Sequence, residues 1–440
     1  MWIKKSGEAC SGLCSILSAM SVVWILASGC GGEAPAAKPQ ETPKKQSSGN
    51  KADDSAASDT APTGFVGKSG RTLLMTQSNF KQDKDGKWVL PDSGELIMLQ
   101  PAENMWKTEH IKETVSNVIH KALPYGDGIV TIGANEAMLK LWTKKGDKWE
   151  SQTIWNPTFG GEHNRLRDFE KADFDGDGNE DLAIATHDQG VVAVAFNRGD
   201  KWDVKEIDRQ KDIFVHEIEV GDLDKDGNPE IYATPSEPNT STGVDQGGGV
   251  VRYEWNGESF DKSEVVHYDK RHIKEVLVAD VDGDGAQELY ASLEAEMGQN
   301  FAIITPVEIM RYDLKGEKFE SRKVFTINDR FCRFLTAGDV DGDGKTELVA
   351  SAFTAGVWVM DSGAGEYTGT CIDKETGGFE HATYLADMND DNNLEIYVAD
   401  DKNGVLRQYV YKDGTYQSKV IFKRYVPKAA MVWNITVADL

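Results

Sequence analysis

A chain of 440 residues has room for one large or two ordinary domains, and 39% hydrophobic content is enough to pack a core. A formal net charge of −25 weighs against a nucleic-acid partner, because phosphate binding needs an excess of Lys and Arg.

In chain order, Lys4 and Lys5 precede an apolar run from Leu17 to Leu26, the pattern of an export signal. The run ends in Leu26-Ala27-Ser28-Gly29-Cys30, which resembles the lipobox of bacterial lipoproteins, with Ala27 where Leu is usual. That resemblance implies residues 1–29 as a cleaved signal peptide and a diacylglycerol on the Cys30 sulfur. The run is too short to span a bilayer well, so the expected membrane attachment is through this lipid only. Gly31 rather than Asp at the next position points to the outer membrane if the host is Gram-negative. The rest of residues 30–64 is Ala, Pro, Lys, Ser and Asp without large apolar side chains, and so reads as a flexible spacer.

Residues 65–440 show short alternating strands, Gly/Asp turns and no useful helical period. One unit runs through Lys171–Thr186, Gly190–Phe196 and Lys201–Ile207: acidic loop, apolar strand, Gly-led strand, amphipathic strand. The loops begin at Asp173, Asp222, Asp280, Asp339 and Asp387, and four strands per such period is the size of a propeller blade. Trp433–Leu440 matches the strand that opens the other units. Arg71–Gln77, Gly94–Leu99 and Met105–Ile111 match the three strands that follow it. Both termini are therefore expected to share one closing blade, which removes the exposed edges of the ring. With a degenerate unit over Ser116–Trp155 and five loop-bearing units, the expectation is an all-β, seven-bladed β-propeller of four-stranded antiparallel blades. Cys332 and Cys371 fall on the first and last strands of one blade, about three strand spacings of ~4.8 Å apart. That is too far for a disulfide, so both are expected as free thiols.

The acidic loops place oxygen ligands at alternate positions. The expected ligand sets are Asp173, Asp175, Asp177, Asn179 and Asp181; Asp222, Asp224, Asp226, Asn228 and Glu230; Asp280, Asp282, Asp284, Ala286 and Glu288; Asp339, Asp341, Asp343, Lys345 and Glu347; and Asp387, Asn389, Asp391, Asn393 and Glu395. The seventh-position residue of each loop would contribute its backbone carbonyl. Gly178, Gly227, Gly285 and Gly344 supply a positive φ, with Asn392 taking that place in the fifth loop. Carboxylate-rich, all-oxygen ligation selects Ca²⁺, about five ions in all, over transition metals. An EF-hand is excluded, because loop position twelve is Ile184, Ala233, Ala291, Ala350 or Val398 instead of Glu, and strands replace the helices.

These loops resemble the FG-GAP and VCBS repeats of the integrin α-chain propeller and of many bacterial surface proteins, over residues 115–440. The resemblance implies that each loop joins the first two strands of a blade, and the ions are read as structural because such loops lie far from the channel mouth. The Phe-Gly and Gly-Ala-Pro signatures of the family name are not clearly present, which sets the chain apart from integrins themselves.

On the opposite face, six residues before each loop, stand Arg167, His216, Lys274, Arg333 and His381, with Trp433 in the closing blade. His163, Arg165, His272 and Arg330 lie nearby, and Thr234–Gly249 and Ser292–Pro306 are long insertions on that face. A cationic channel mouth on an acidic body suggests an acidic ligand. The function expected is a binding module at the cell envelope, for an acidic glycan or an envelope protein. The competing reading of the same residues is a channel wall knitted by Asp168, Glu217, Glu275 and Glu380. The alternative function is a polysaccharide lyase or sugar dehydratase with His216 or His381 as base, although no catalytic motif is present.

Overall fold

The computed structural model describes residues 70–440, apart from 86–87, 90–92, 103–104, 162–163, 188, 241–242 and 425–429. The expected signal peptide, Cys30 and the spacer lie outside the described residues, as does His163.

Seven four-stranded antiparallel sheets form the body. Blade 1 is built from both ends of the chain, in the order Ala430–Asp439, Arg71–Asn79, Gly94–Ala102 and Met105–Glu113. The closing pair runs from Arg71 opposite Asp439 to Asn79 opposite Ala430. Blade 2 follows in Ile119–Tyr125, Gly128–Gly133, Leu139–Lys145 and Lys148–Trp155. Blades 3 to 7 open with Leu166–Ala172, Phe214–Gly221, Ile273–Ala279, Cys332–Gly338 and Thr383–Ala386. The opening strands of successive blades touch in turn, and that of blade 7 meets Ala430–Asp439, which meets Ile119–Tyr125. The ring is closed, as the two chain ends predict.

Burial follows strand position. The second strands of blades 3, 5, 6 and 7 are buried along their whole length, while outer strands such as Lys148–Trp155 are mostly exposed. Inner strands therefore read as apolar runs, and outer strands as amphipathic ones. Core clusters span neighbouring blades: Phe169, Leu182 and Ile184 of blade 3 pack with Val130, Ile132 and Leu139 of blade 2. Each fully buried aliphatic or aromatic side chain contributes roughly 1.5–3 kcal/mol. Cys332 and Cys371 are free, on the first and fourth strands of blade 6.

An irregularity recurs that alternation does not reveal. In blades 2 to 6 the pairing of the first strand skips a step at His120, Arg167, His216/Glu217, Lys274/Glu275 and Arg333. In blade 1 the skip falls at Trp433. These are β-bulges, which re-aim a side chain and locally end the pairing. His381, at the same point of blade 7, has φ 60°.

Candidate metal centres

Each acidic loop joins the first and second strands of blades 3 to 7. Its first residue organises the backbone. Asp173 accepts hydrogen bonds from the amides of Gly176 (2.8 Å), Asp177 (3.1 Å) and Gly178 (2.8 Å). The bond from the sixth amide recurs at Asp222, Asp280, Asp339 and Asp387, at 2.9–3.0 Å. The fifth carboxylate accepts the seventh amide in every loop, at 2.7–2.9 Å. The sixth residue is left-handed, with φ of 82–89° at the four glycines and 67° at Asn392. The fourth residue is left-handed too, which was not anticipated: Gly176, Gly283 and Gly342 take it freely, whereas Lys225 (φ 61°) and Asp390 (φ 58°) carry a Cβ there.

The ninth residue opens the second strand. Asp181, Glu230, Glu288, Glu347 and Glu395 are only 0–2% exposed. One oxygen of each accepts the amide of the loop's second residue, from Phe174 (3.2 Å), Leu223 (3.0 Å), Val281 (3.4 Å), Val340 (3.1 Å) and Met388 (2.9 Å) respectively. Those second residues are buried and reach into the next blade. Phe174 packs with Val215 and Ile218, Leu223 with Ile273 and Val276, and Met388 with Leu73 and Ile435. The ninth carboxylate thus couples the shape of its loop to the contact between two blades.

The oxygens converge as hard-cation ligands do. Those of Asp173, Asp175 and Asp181 lie within 4.8 Å of one another, as do those of Asp222, Asp224 and Glu230, and those of Asp339, Asp341 and Glu347. In the third loop all four side chains, Asp280, Asp282, Asp284 and Glu288, meet. Burial pushes the Glu288, Glu347 and Glu395 carboxyls up to about 7 and Asp181 up to about 6. A divalent cation would offset that cost. Oδ1 of Asp175 and Oε1 of Glu395 are buried without a hydrogen-bond partner, which fits such an ion. The residues present suit Ca²⁺.

Three of the fifth-position residues have side-chain partners of their own. Asp177 turns to Arg198 at 2.9 Å, Asp226 is held by both nitrogens of Asn228, and Asp343 pairs with Lys345 at 2.8 Å. Arginines also enter the loops: Arg198 at Asp175 (2.5 Å), Arg252 at Asp224 and Glu230 (both 2.5 Å), and Arg311 at Asp282 (2.7 Å) and Glu288 (3.3 Å). They follow or lie in the third strand, so only strand pairing brings them to the loop. Spacing within the motif carries no trace of them.

The other expected site takes a different form. Arg167, His216, Lys274, Arg333 and His381 do gather at the channel, but they are 0–6% exposed. Arg167 and Arg333 share Glu380 (3.0 and 3.2 Å), and Arg333 also holds Glu294 at 3.0 Å. Arg167 donates to Nε2 of His216 at 3.3 Å, and Nδ1 of His216 donates to the Lys274 carbonyl at 3.0 Å. Lys274 donates to Asn239 of the first insertion. Of the expected wall carboxylates, Glu380 alone bridges the cations. Asp168 goes instead to Lys121 (2.8 Å) and the Ile218 amide, and Glu275 to the Leu335 amide. The cavity bounded by His120, Arg167, Arg333 and Trp433 measures about 10 Å³. That is about the room one water needs. In place of an open cationic mouth for a uronate stands an ion-pair wall, in which bulges hold Arg167 and Arg333 and segments outside the strands bring Glu380 and Glu294 to them. Burial, then Arg167, push His216 well below the usual histidine range, and its Nε2 lone pair is occupied. His381 is likewise lowered by burial and fully enclosed.

Ring closure, blade order and repeated acidic loops define a seven-bladed β-propeller of the repeat type. Within it, residues 173–233 match the family model of the FG-GAP-like repeat, so the chain is a propeller carrying an FG-GAP-like repeat. No curated protein matches the sequence. Among solved structures, a Bacteroides uniformis protein provisionally named 6-phosphogluconolactonase is similar at 12% identity and a TM-score of 0.51, covering 83% of this chain and 99% of its own. A Lactobacillus plantarum protein is similar at 11% identity and a TM-score of 0.51, with the same two coverages. At such identities the similarity is one of fold.

Proposed function

We propose that the protein is a calcium-stiffened interaction module, exported and held at the cell envelope by a lipid on Cys30, and that it recognises its partner on the face opposite the acidic loops. The observation that carries this reading is the pairing of Arg167 and Arg333 with Glu380 around a cavity of about 10 Å³, which favours recognition by the outer surface of that face. The insertion between Leu293 and Val307 rises there as a small hairpin, Glu296–Met297 with Ile303–Thr305. Its second strand exposes Ile303 (39%) and Ile304 (63%). Exposed aliphatics beside neutralised cations favour an envelope protein over an acidic glycan. Cross-linking in membranes and a glycan array, both with calcium present, test the choice. Capture of an envelope protein that Ile303→Ser with Ile304→Ser reduces at least tenfold is the expected result. Saturable, salt-sensitive glycan binding unaffected by those changes contradicts it.

A further inference from the structure

The five loops share one sequence pattern but differ in what faces the buried ninth carboxylate. In the second loop, Nη2 of Arg252 lies 2.5 Å from both Asp224 and Glu230, while the other oxygen of Glu230 accepts the Leu223 amide (3.0 Å) and the Tyr232 hydroxyl (3.1 Å). Every oxygen of that buried carboxylate has a partner within the chain. The third loop repeats this. Arg311 lies 2.7 Å from Asp282 and 3.3 Å from Glu288, whose other oxygen accepts the Tyr290 hydroxyl at 3.1 Å. Both arginines sit at one register position, directly opposite Tyr232 and Tyr290 on the neighbouring strand.

In the fifth loop that register position, opposite Tyr397, is Gln408. Gln408 donates to the Tyr397 hydroxyl at 3.1 Å and brings no charge to the loop. Glu395 keeps the same two bonds on one oxygen, from Met388 (2.9 Å) and Tyr397 (3.0 Å), but its Oε1 is buried without a partner. In the first and fourth loops the equivalent residues are Val194 and Val359. The second and third loops thus supply their own cation at the ninth carboxylate, whereas the fifth leaves a buried anionic oxygen there in need of one.

Resting on the reading of the loops as calcium sites, we infer that they are of two kinds. Arg252 and Arg311 are resident cations of the second and third loops, which hold their shape without metal. Divalent ions are taken by the loops that lack such an arginine, the fifth foremost. A guanidinium between the exposed third ligand and the buried ninth fills the space and uses the charge that Ca²⁺ would use. The full set of about five ions expected from the five acidic loops therefore does not fit this chain.

The test is native mass spectrometry of the mature protein titrated with calcium chloride, beside Arg252→Gln with Arg311→Gln, which copies the fifth loop's own glutamine. Wild type is expected to take no more than three ions, and the double variant two more than wild type. Five ions on wild type overturns the inference while leaving calcium binding intact, and so does a folded variant that gains none. No ions on wild type but two on the variant upholds the resident cations while contradicting calcium in the other loops. If the variant does not fold, Asp222→Asn with Asp280→Asn decides. An unchanged ion count supports the inference and a loss of two overturns it, with Asp387→Asn, expected to lose one ion, as the reference.

Discussion

The two faces of the ring grow from one repeat, yet they handle charge in opposite ways. On the loop face, carboxylates of a single nine-residue stretch are drawn together by amides of that same stretch, as at Asp173 and Asp181. At the channel wall, carboxylates and cations from blades far apart in sequence meet, as Arg167 does with Glu380 across 213 positions. The first arrangement gathers like charges and leaves oxygens over for an external cation. The second is internally balanced and leaves no room for a ligand. The difference teaches that a repeated position near a channel is a recognition site only if the residues facing it leave it unpaired.

The wall should prove the more costly to break. Arg333→Ala takes the guanidinium from buried Glu294 and leaves Glu380 with Arg167 alone, and a loss of about 3–5 kcal/mol in urea unfolding is expected. A loss under about 1 kcal/mol would mean the wall is solvated and the contrast between the faces is false. On the loop side, Leu223→Ala removes an inter-blade plug and should cost about 2–4 kcal/mol, equally with calcium or with a chelator if Arg252 keeps that loop formed. A chelator-dependent difference would show that metal shapes the second loop.

The acid side sharpens the comparison further. Although burial alone would raise it, Arg333 and Lys274 hold the Glu294 carboxyl down at about 2. A carboxyl depressed on folding contributes stability that is complete above its unfolded value near 4.5 and is lost as pH falls toward about 2. Wild type should therefore weaken steeply over that window, and Glu294→Gln, less stable at pH 7, should show a flatter acid limb by circular dichroism. Parallel limbs would remove Glu294 from the account. The smallest effect belongs to Lys225, held at φ 61° in the second loop. Lys225→Gly should raise the melting temperature slightly, by an equivalent of about 0.5–1 kcal/mol, and a decrease would mean the side chain is needed there.

What could be read from the sequence follows the same division. Blade number, closure by both termini and the five loops were legible, because strands, turns and loop hydrogen bonds depend on residues close along the chain. Gly178 and Asn392 announced the left-handed turn in this way. The wall was legible as basic residues with four candidate carboxylates, of which Glu380 takes up Arg167 and Arg333. The bulges at Arg167 and Arg333, and the partner Glu294 inside an insertion, depend on pairing between strands. Arg252 and Arg311 were hidden for the same reason: each stands more than twenty residues beyond the first Asp of its loop and reaches it only across the sheet.

Calorimetry of the protein in millimolar calcium, against the same protein in excess chelator, tests the central claim most directly. With ions bound near 100 times their dissociation constant, each site adds about 2.7 kcal/mol, so chelation should lower the melting temperature by several degrees and calcium should restore it. Superimposable transitions in the two solutions would contradict the account.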